Sequence, residues 1–235
     1  MGTAMKINLL VGSFFFVLSF SAFAQNQFVG AYGQISTGYE NNTVSSAQLT
    51  GTDYGETPNK TNTLTTTSAS APLVLGLGYT FNLKNNFTMG IGIDYSALTQ
   101  NTQSGGFYYF GDRRNTYDYK FSISNRFNAF IAPGYAIDQD KLVYAKLGYS
   151  TQSVQYSQTN CCSSPSNNAQ VSGYVVGLGY KQFFTKALYG FVEANYYAYG
   201  RPNLSSTYSG GPGGTVSSNP NVNAYNFLFG LGYRF

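Results

Sequence analysis

Six charged residues on predicted strands are the side chains of this chain that could build a polar site. They are Asp94, Lys120, Arg126, Lys146, Glu193 and Arg234. Carboxylates and cations buried together form hydrogen-bonded ion pairs, because an unpaired charge is costly away from water. Two interpretations stay open for such a cluster: a salt-bridge gate on a narrow water path, or a satisfied polar core. We favour the polar core.

Catalytic and redox chemistry has little support in the sequence. The chain contains no histidine, which excludes His-based triads, His–metal sites and a His general base. Cys161 and Cys162 are adjacent, and their Cα atoms lie ~3.8 Å apart, below the ~4.4–6.8 Å usual for a disulfide. We interpret the cysteines as a loop constraint or as unpaired thiols. The sequence therefore predicts a protein that is not an enzyme and has no cofactor or metal.

The first 24 residues have the features of a secretory signal peptide. Lys6 supplies a positive charge, residues 7–20 form a short apolar stretch, and Ala22 and Ala24 form an A-x-A cleavage site. We predict a cleaved signal peptide over residues 1–24 and one domain over residues 25–235.

The composition of the chain is unusual for a soluble domain. Charged residues make up 9%, whereas Tyr, Phe and Gly number 22, 19 and 27. A soluble globular domain carries about 25% charged residues. Low charge without a long apolar run favours a transmembrane β-barrel, whose strands alternate. The net charge of +4 is too small to suggest a nucleic-acid partner.

A period of two in hydrophobicity predicts eight strands. Their ranges are 27–40, 72–82, 86–100, 117–137, 141–156, 170–181, 186–200 and 222–235. Short connections (83–85, 138–140, 182–185) alternate with long ones (41–71, 101–116, 157–169, 201–221). This alternation predicts an all-β fold: an eight-stranded antiparallel up-and-down transmembrane β-barrel. Short periplasmic turns, four long external loops and periplasmic N- and C-termini follow from it.

The motif Gly-Leu-Gly-Tyr recurs at residues 76–79, 177–180 and 230–233 and defines the two faces of the predicted barrel wall. Leu and Tyr point one way and Gly the other. The six charged residues fall on the Gly face, and a charge at the lipid midplane costs up to roughly 2–4 kcal/mol. We therefore place them in the lumen, with Glu193 paired with Arg126 or Lys146. The predicted lipid-facing set includes Leu75, Leu77, Ile91, Ile93, Phe121, Ile123, Phe127, Ile131, Leu147, Leu178, Val192, Phe229 and Leu231.

Two hairpins and the last strand resemble the outer-membrane β-barrel superfamily. Residues 130–136 (Phe-Ile-Ala-Pro-Gly-Tyr-Ala) and 142–149 (Leu-Val-Tyr-Ala-Lys-Leu-Gly-Tyr) are similar to its central hairpin. Residues 176–180 with 191–196 resemble the next one. That group includes OmpA-type transmembrane domains, OmpX, Opa-type adhesins and many porin-family proteins. The last strand, with Tyr233 and Phe235, resembles the assembly signal of these barrels.

The resemblance implies a location in the outer membrane of a Gram-negative cell. It implies lipid and lipopolysaccharide as surroundings and the barrel assembly machinery as a partner during biogenesis. Two functions remain open. One is a structural or adhesive role, in which the external loops contact host, phage or surface molecules. The other is a narrow pore for small solutes or an apolar ligand.

Overall fold

The structure is a computed structural model that describes residues 27–45, 48–53, 59–62, 65–109, 112–159, 167–208 and 214–235. Ala22 and Ala24 of the predicted cleavage site, and the Cys161–Cys162 pair, lie outside these ranges. Within the described ranges, no helix has the length and apolar character needed to cross a membrane.

The described residues form antiparallel strands. They are β1 (Gly30–Val44), β2 (Gln48–Asp53), β3 (Asn59–Asn62), β4 (Thr66–Ser70), β5 (Val74–Asn82), β6 (Phe87–Ser96), β7 (Gln100–Asn101), β8 (Gly105–Tyr109), β9 (Asp112–Ala136), β10 (Lys141–Thr159), β11 (Asn167–Phe183), β12 (Leu188–Tyr199), β13 (Leu204–Tyr208), β14 (Gly214–Ser218) and β15 (Val222–Arg234).

Eight of these strands close into a barrel, which confirms the predicted fold. Each strand pairs with the next in the order β1, β5, β6, β9, β10, β11, β12 and β15, and β15 pairs again with β1. Closure leaves no free edge among the wall strands, so their backbone groups are satisfied within the sheet. We call the end with the short connections (83–86, 137–140 and 184–187) the turn end, and the opposite end the loop end.

Four of the eight wall strands (β1, β9, β10 and β11) reach further toward the loop end than the sequence predicts. β1 continues to Val44, and β4 pairs with β1 over Glu40–Val44 directly beyond β5. The buried Pro72 lies between β4 and β5 and interrupts the strand because proline has no N–H to donate. β9 and β10 extend to Asp112 and Thr159.

Four short strands from the first and last long connections form a second sheet at the loop end. Its order is β13-β14-β2-β3. These connections were predicted as loops, because their Thr, Asn, Ser and Gly residues show no clear alternation. Pairing of β14 with β2 joins segments about 160 residues apart, and a local pattern does not reveal such contacts.

The Gly-Leu-Gly-Tyr motifs pack as the sequence predicts. Leu77, Leu178 and Leu231 are exposed on the outer face. On the inner face, Gly78, Gly179 and Gly232 stand opposite Tyr32, Tyr144 and Tyr189 of the neighbouring strand. A methyl group built on any of these glycines would overlap the facing tyrosine ring. Glycine is therefore required here for side-chain space, with the tyrosine filling the room that it leaves.

A β-bulge at Asn125 changes the face assignment along β9. Asn125 has φ of 54°. β9 has one more residue than β10 in the segment that pairs with Thr151 to Ser153. A bulge of this kind inserts an extra residue and resets the alternation. Phe121 and Ile123 are buried on the inner face, so their predicted lipid-facing position is wrong.

The lumen is filled at three levels. At the turn end lies an aromatic cluster of Phe28, Tyr32, Ala136, Leu142, Tyr144, Phe183, Tyr189 and Phe191. At the loop end lies an aliphatic and aromatic cluster of Val44, Phe121, Val154, Val171, Val175, Tyr197, Tyr199, Val222 and Ala224. Between them lies a layer of charged and amide side chains, which is the candidate site.

Candidate functional site

Four of the six predicted charged residues meet in the lumen. Asp94, Arg126, Lys146 and Glu193 come from β6, β9, β10 and β12, and all four side chains are buried. Each lies at an inward position of its strand, so the closed wall brings together residues distant in sequence. They divide into two ion-pair groups.

The first group is centred on Lys146, which is 1% exposed. Its ammonium binds Asp94 and lies 2.9 Å from Glu193 Oε1. It also lies 4.3 Å from the centre of the Phe130 ring, a favourable cation–π distance. One ammonium thus pairs with two carboxylates at once, and the pairing of Glu193 with Lys146 follows the sequence-based expectation.

Hydrogen bonds complete the environment of Glu193. Tyr144 Oη donates to Oε2 over 2.7 Å, and Asn195 Nδ2 donates to Oε1 over 2.8 Å. A buried carboxylate needs several donors to offset its lost hydration, and Glu193 has three. The same Tyr144 is the ring that fits against Gly179 in the wall.

The second group pairs Arg126 with Glu40. The guanidinium Nη1 lies 2.6 Å from Glu40 Oε2. Arg126 also donates from Nε to Gln152 Oε1 over 3.0 Å and from Nη2 to Asn42 Oδ1 over 2.7 Å. Its guanidinium carbon lies 4.5 Å from the centre of the Tyr197 ring. Of the two cations predicted as alternatives for Glu193, Arg126 is not the one that pairs with it, because its carboxylate partner is Glu40.

Two amides join the groups into one network. Asn195 Nδ2 donates to Asn226 Oδ1 over 2.9 Å, and Asn226 Nδ2 donates to Glu40 Oε2 over 3.1 Å. Hydrogen bonds therefore run without a break from Glu193 to Glu40 across β12, β15 and β1. In a low-dielectric interior such a network strengthens each of its members.

Lys181 is a third buried cation, nearer the turn end. Its ammonium lies 4.1 Å from the Tyr32 ring centre and 5.1 Å from those of Tyr144 and Tyr189. Among the described residues no carboxylate forms an ion pair with it. The network and Lys181 together contain three carboxylates and three cations, so the charges balance.

A cavity of about 10 Å³ lies between Lys181 and Glu193. Thr88 also lines it, and its buried Oγ1 has no hydrogen-bond partner. That volume is about what one water molecule needs. This part of the lumen therefore has no room for a solute.

Two predicted cluster residues lie elsewhere. Lys120 precedes the bulge on β9, so it lies on the face opposite the buried Phe121 and is half-buried. Arg234 lies at the turn end, where its guanidinium donates to the carbonyl oxygens of Val29 (3.3 Å) and Lys186 (3.1 Å). The lumen assignment of Lys120 is wrong because of the bulge. Arg234 binds backbone carbonyls and takes no part in the network.

Sequence reasoning missed Glu40 and Lys181. Each is the last residue of a predicted strand, and the assignment of faces was not extended to it. Glu40 shares its face with Tyr32 and Ser36, and Lys181 shares its face with Gly179. Applying the alternation to the last residue of each predicted strand would have placed both side chains in the lumen.

The network has no arrangement suited to metal binding or nucleophilic catalysis. In the described ranges, no three His, Cys, Asp or Glu side chains are grouped so that they could hold a metal ion. The ammonium of Lys146 and the guanidinium of Arg126 are instead paired with the carboxylates of the network. The geometry supports a structural role for these groups.

The predicted assembly-signal residues lie at the end of β15 with their side chains outside. Tyr233 is 51% and Phe235 77% exposed. Their ring centres lie 5.4 Å apart, and the backbone N–H of Phe235 donates to Ala31 on β1 over 2.9 Å. Both aromatic rings are therefore available to a partner outside the barrel.

Several solved structures of outer-membrane proteins are similar to this chain. The outer membrane protease OmpT from Escherichia coli is 12% identical, covers 88% of this chain and 97% of its own, and has a TM-score of 0.50. The outer membrane protein OprG from Pseudomonas aeruginosa is 12% identical, covers 90% of this chain and 99% of its own, and has a TM-score of 0.49. The attachment invasion locus protein Ail of Yersinia pestis is 16% identical, covers 84% of this chain and 99% of its own, and has a TM-score of 0.40. A comparison with curated protein sequences gives no match.

The family itself is shown by sequence. The model of the outer membrane protein beta-barrel domain matches residues 12–235. This match covers the whole barrel, including every residue of the lumen network. The chain therefore belongs to the outer membrane protein β-barrel family of Gram-negative bacteria.

Proposed function

We propose that this protein is a non-enzymatic, non-conducting barrel that presents its loop-end strands to molecules outside the cell. The observation that carries this proposal is the filled lumen. Two apolar clusters lie above and below the ion-pair network, and small barrels of this width are normally filled by side chains. A filled barrel acts as a rigid support, and its variable contacts come from the connections it carries.

The loop-end strands support a role in surface contact. β9 and β10 extend beyond the aliphatic cluster, and the sheet β13-β14-β2-β3 stands on the first and last long connections. Ser45 donates from its backbone N–H to the carbonyl of Asn221 over 2.9 Å, which ties these two connections together. Ordered strands at this end offer a surface on which a host, phage or neighbouring surface molecule, or lipopolysaccharide, could bind.

The orientation that we propose puts the turn end and both termini in the periplasm. Alternating short and long connections support this orientation, because barrels of this family carry short periplasmic turns. Exposed Tyr233 and Phe235 would then face the barrel assembly machinery during biogenesis.

A narrow pore is the second candidate function. Buried polar atoms without a hydrogen-bond partner favour it: Asp94 Oδ1, Asn128 Oδ1 and Gln152 Nε2. Such atoms attract water, and a chain of waters past the network would be a conducting path.

Single-channel recording separates the two functions. We expect the purified, refolded protein in a planar bilayer to give no steady conductance, because both apolar clusters exclude ions. A refolded general porin in the same bilayer serves as the positive control. A steady conductance from the folded protein would contradict the closed barrel and favour the pore.

Protease treatment of intact cells tests the orientation. We expect cleavage within residues 41–71 or 201–221, because these connections lie at the loop end. Permeabilised cells, in which both ends are accessible, provide the control. Cleavage in intact cells confined to the turns at 83–85 or 138–140 would reverse the proposed topology.

A further inference from the structure

One lysine lies in or directly after each of the three turns at the turn end, and these lysines differ in their partners. Lys84 lies in the turn at 83–86, Lys141 directly follows the turn at 137–140, and Lys186 lies in the turn at 184–187. All three are at the level where the barrel wall ends. Their different surroundings give this end of the molecule an uneven charge.

Lys141 is neutralised within its own turn. Its ammonium lies 2.8 Å from Asp138 Oδ2 and 3.8 Å from Asp140 Oδ1. The hydrogen bond from Lys141 lowers the pKa of Asp138 to about 2, so this carboxylate stays ionised at neutral pH. With two carboxylates against one ammonium, this turn carries no excess positive charge.

Lys84 and Lys186 are exposed and have no such acidic partner. Among the described residues, neither forms an ion pair with a carboxylate. The guanidinium of Arg234 bonds to the carbonyl of Lys186, which places a second positive charge beside that turn. The positive charges therefore concentrate at the first and third turns.

Exposed aromatic rings lie close in sequence to both of these lysines. Phe81 (44%) and Phe87 (53%) lie on either side of Lys84, and Phe184 (63%) lies two residues before Lys186. Outward aromatic rings at the end of a barrel wall mark the boundary between hydrocarbon and headgroups. A lysine just beyond such rings extends its ammonium into the headgroup layer.

We propose that Lys84 and Lys186, with their flanking phenylalanines, bind the headgroups of anionic phospholipids in the leaflet around the turn end. The rings anchor in the acyl region, and each ammonium pairs with a lipid phosphate. Lys141 does not take part because Asp138 occupies it. The function of the loop end plays no part in this inference.

Unfolding in vesicles tests the proposal. The wild-type protein is refolded into phosphatidylcholine vesicles and into vesicles that also contain phosphatidylglycerol with the same acyl chains. We expect phosphatidylglycerol to favour the folded state, by roughly fivefold in the unfolding equilibrium for each unpaired lysine at low salt. The variants Lys84→Gln and Lys186→Gln should each lose about half of this effect.

Lys141→Gln is the matched control, because it changes the net charge by the same amount. It should keep the phosphatidylglycerol effect. An equal loss in all three variants would show that the phosphatidylglycerol effect depends on net charge alone, and this result would overturn the proposal. The absence of any phosphatidylglycerol effect in the wild type would overturn it as well.

Discussion

Replacing Lys146 with methionine should destabilise the barrel by at least roughly 3–5 kcal/mol. That is the usual cost of removing one partner of a buried ion pair, and here one ammonium serves both Asp94 and Glu193. Two carboxylates would remain close together without a cation. Urea unfolding in vesicles measures the loss, followed by circular dichroism because the chain has no tryptophan.

Two variants control this experiment. Lys120→Met removes a lysine from the other face of the wall and should change stability by about 0.5 kcal/mol or less, as surface substitutions do. The triple variant Asp94→Asn, Lys146→Met, Glu193→Gln removes all three charges and should recover most of the loss. A Lys146→Met protein as stable as Lys120→Met would show that water screens the cluster.

Alternation and connection length were sufficient to predict the architecture. Leu77 and Leu231 are exposed and Gly78 and Gly232 face inward, because the period of two is a geometric property of every strand. Closure into eight strands follows from the count. These features depend on local sequence, so one chain reveals them.

The features that the sequence did not reveal depend on contacts distant in the chain. The bulge at Asn125 is one extra residue in β9 relative to β10. Ser124 and Asn125 do not distinguish a bulge from a regular strand. Lys120, Phe121 and Ile123 were therefore assigned to the wrong faces. Glu40 was missed because the assignment of faces was not extended to the last residue of its predicted strand, which continues to Val44 in the structure.

A double-mutant cycle on Arg126 will identify its true partner. Arg126→Met alone should destabilise the barrel by roughly 3–5 kcal/mol, because Glu40 is then left buried without a cation. Glu40→Gln removes that charge while keeping the side-chain shape and one oxygen, which can still accept a hydrogen bond from Asn42 or from Asn226. The double variant should therefore lose less than the sum of the two single variants.

The comparison cycle uses Glu193, which sequence reasoning also matched with Arg126. Arg126 lies 2.6 Å from Glu40, whereas the ammonium beside Glu193 belongs to Lys146. Residues in contact have coupling energies of roughly 0.5–3 kcal/mol. We expect the coupling of Arg126 to Glu40 to lie in the upper part of this range, and its coupling to Glu193 to be clearly smaller. Some coupling to Glu193 is expected, because Asn195 and Asn226 connect the two groups. A larger coupling to Glu193 than to Glu40 would mean that Arg126 has moved to the other carboxylate, and the division into two ion-pair groups would be wrong.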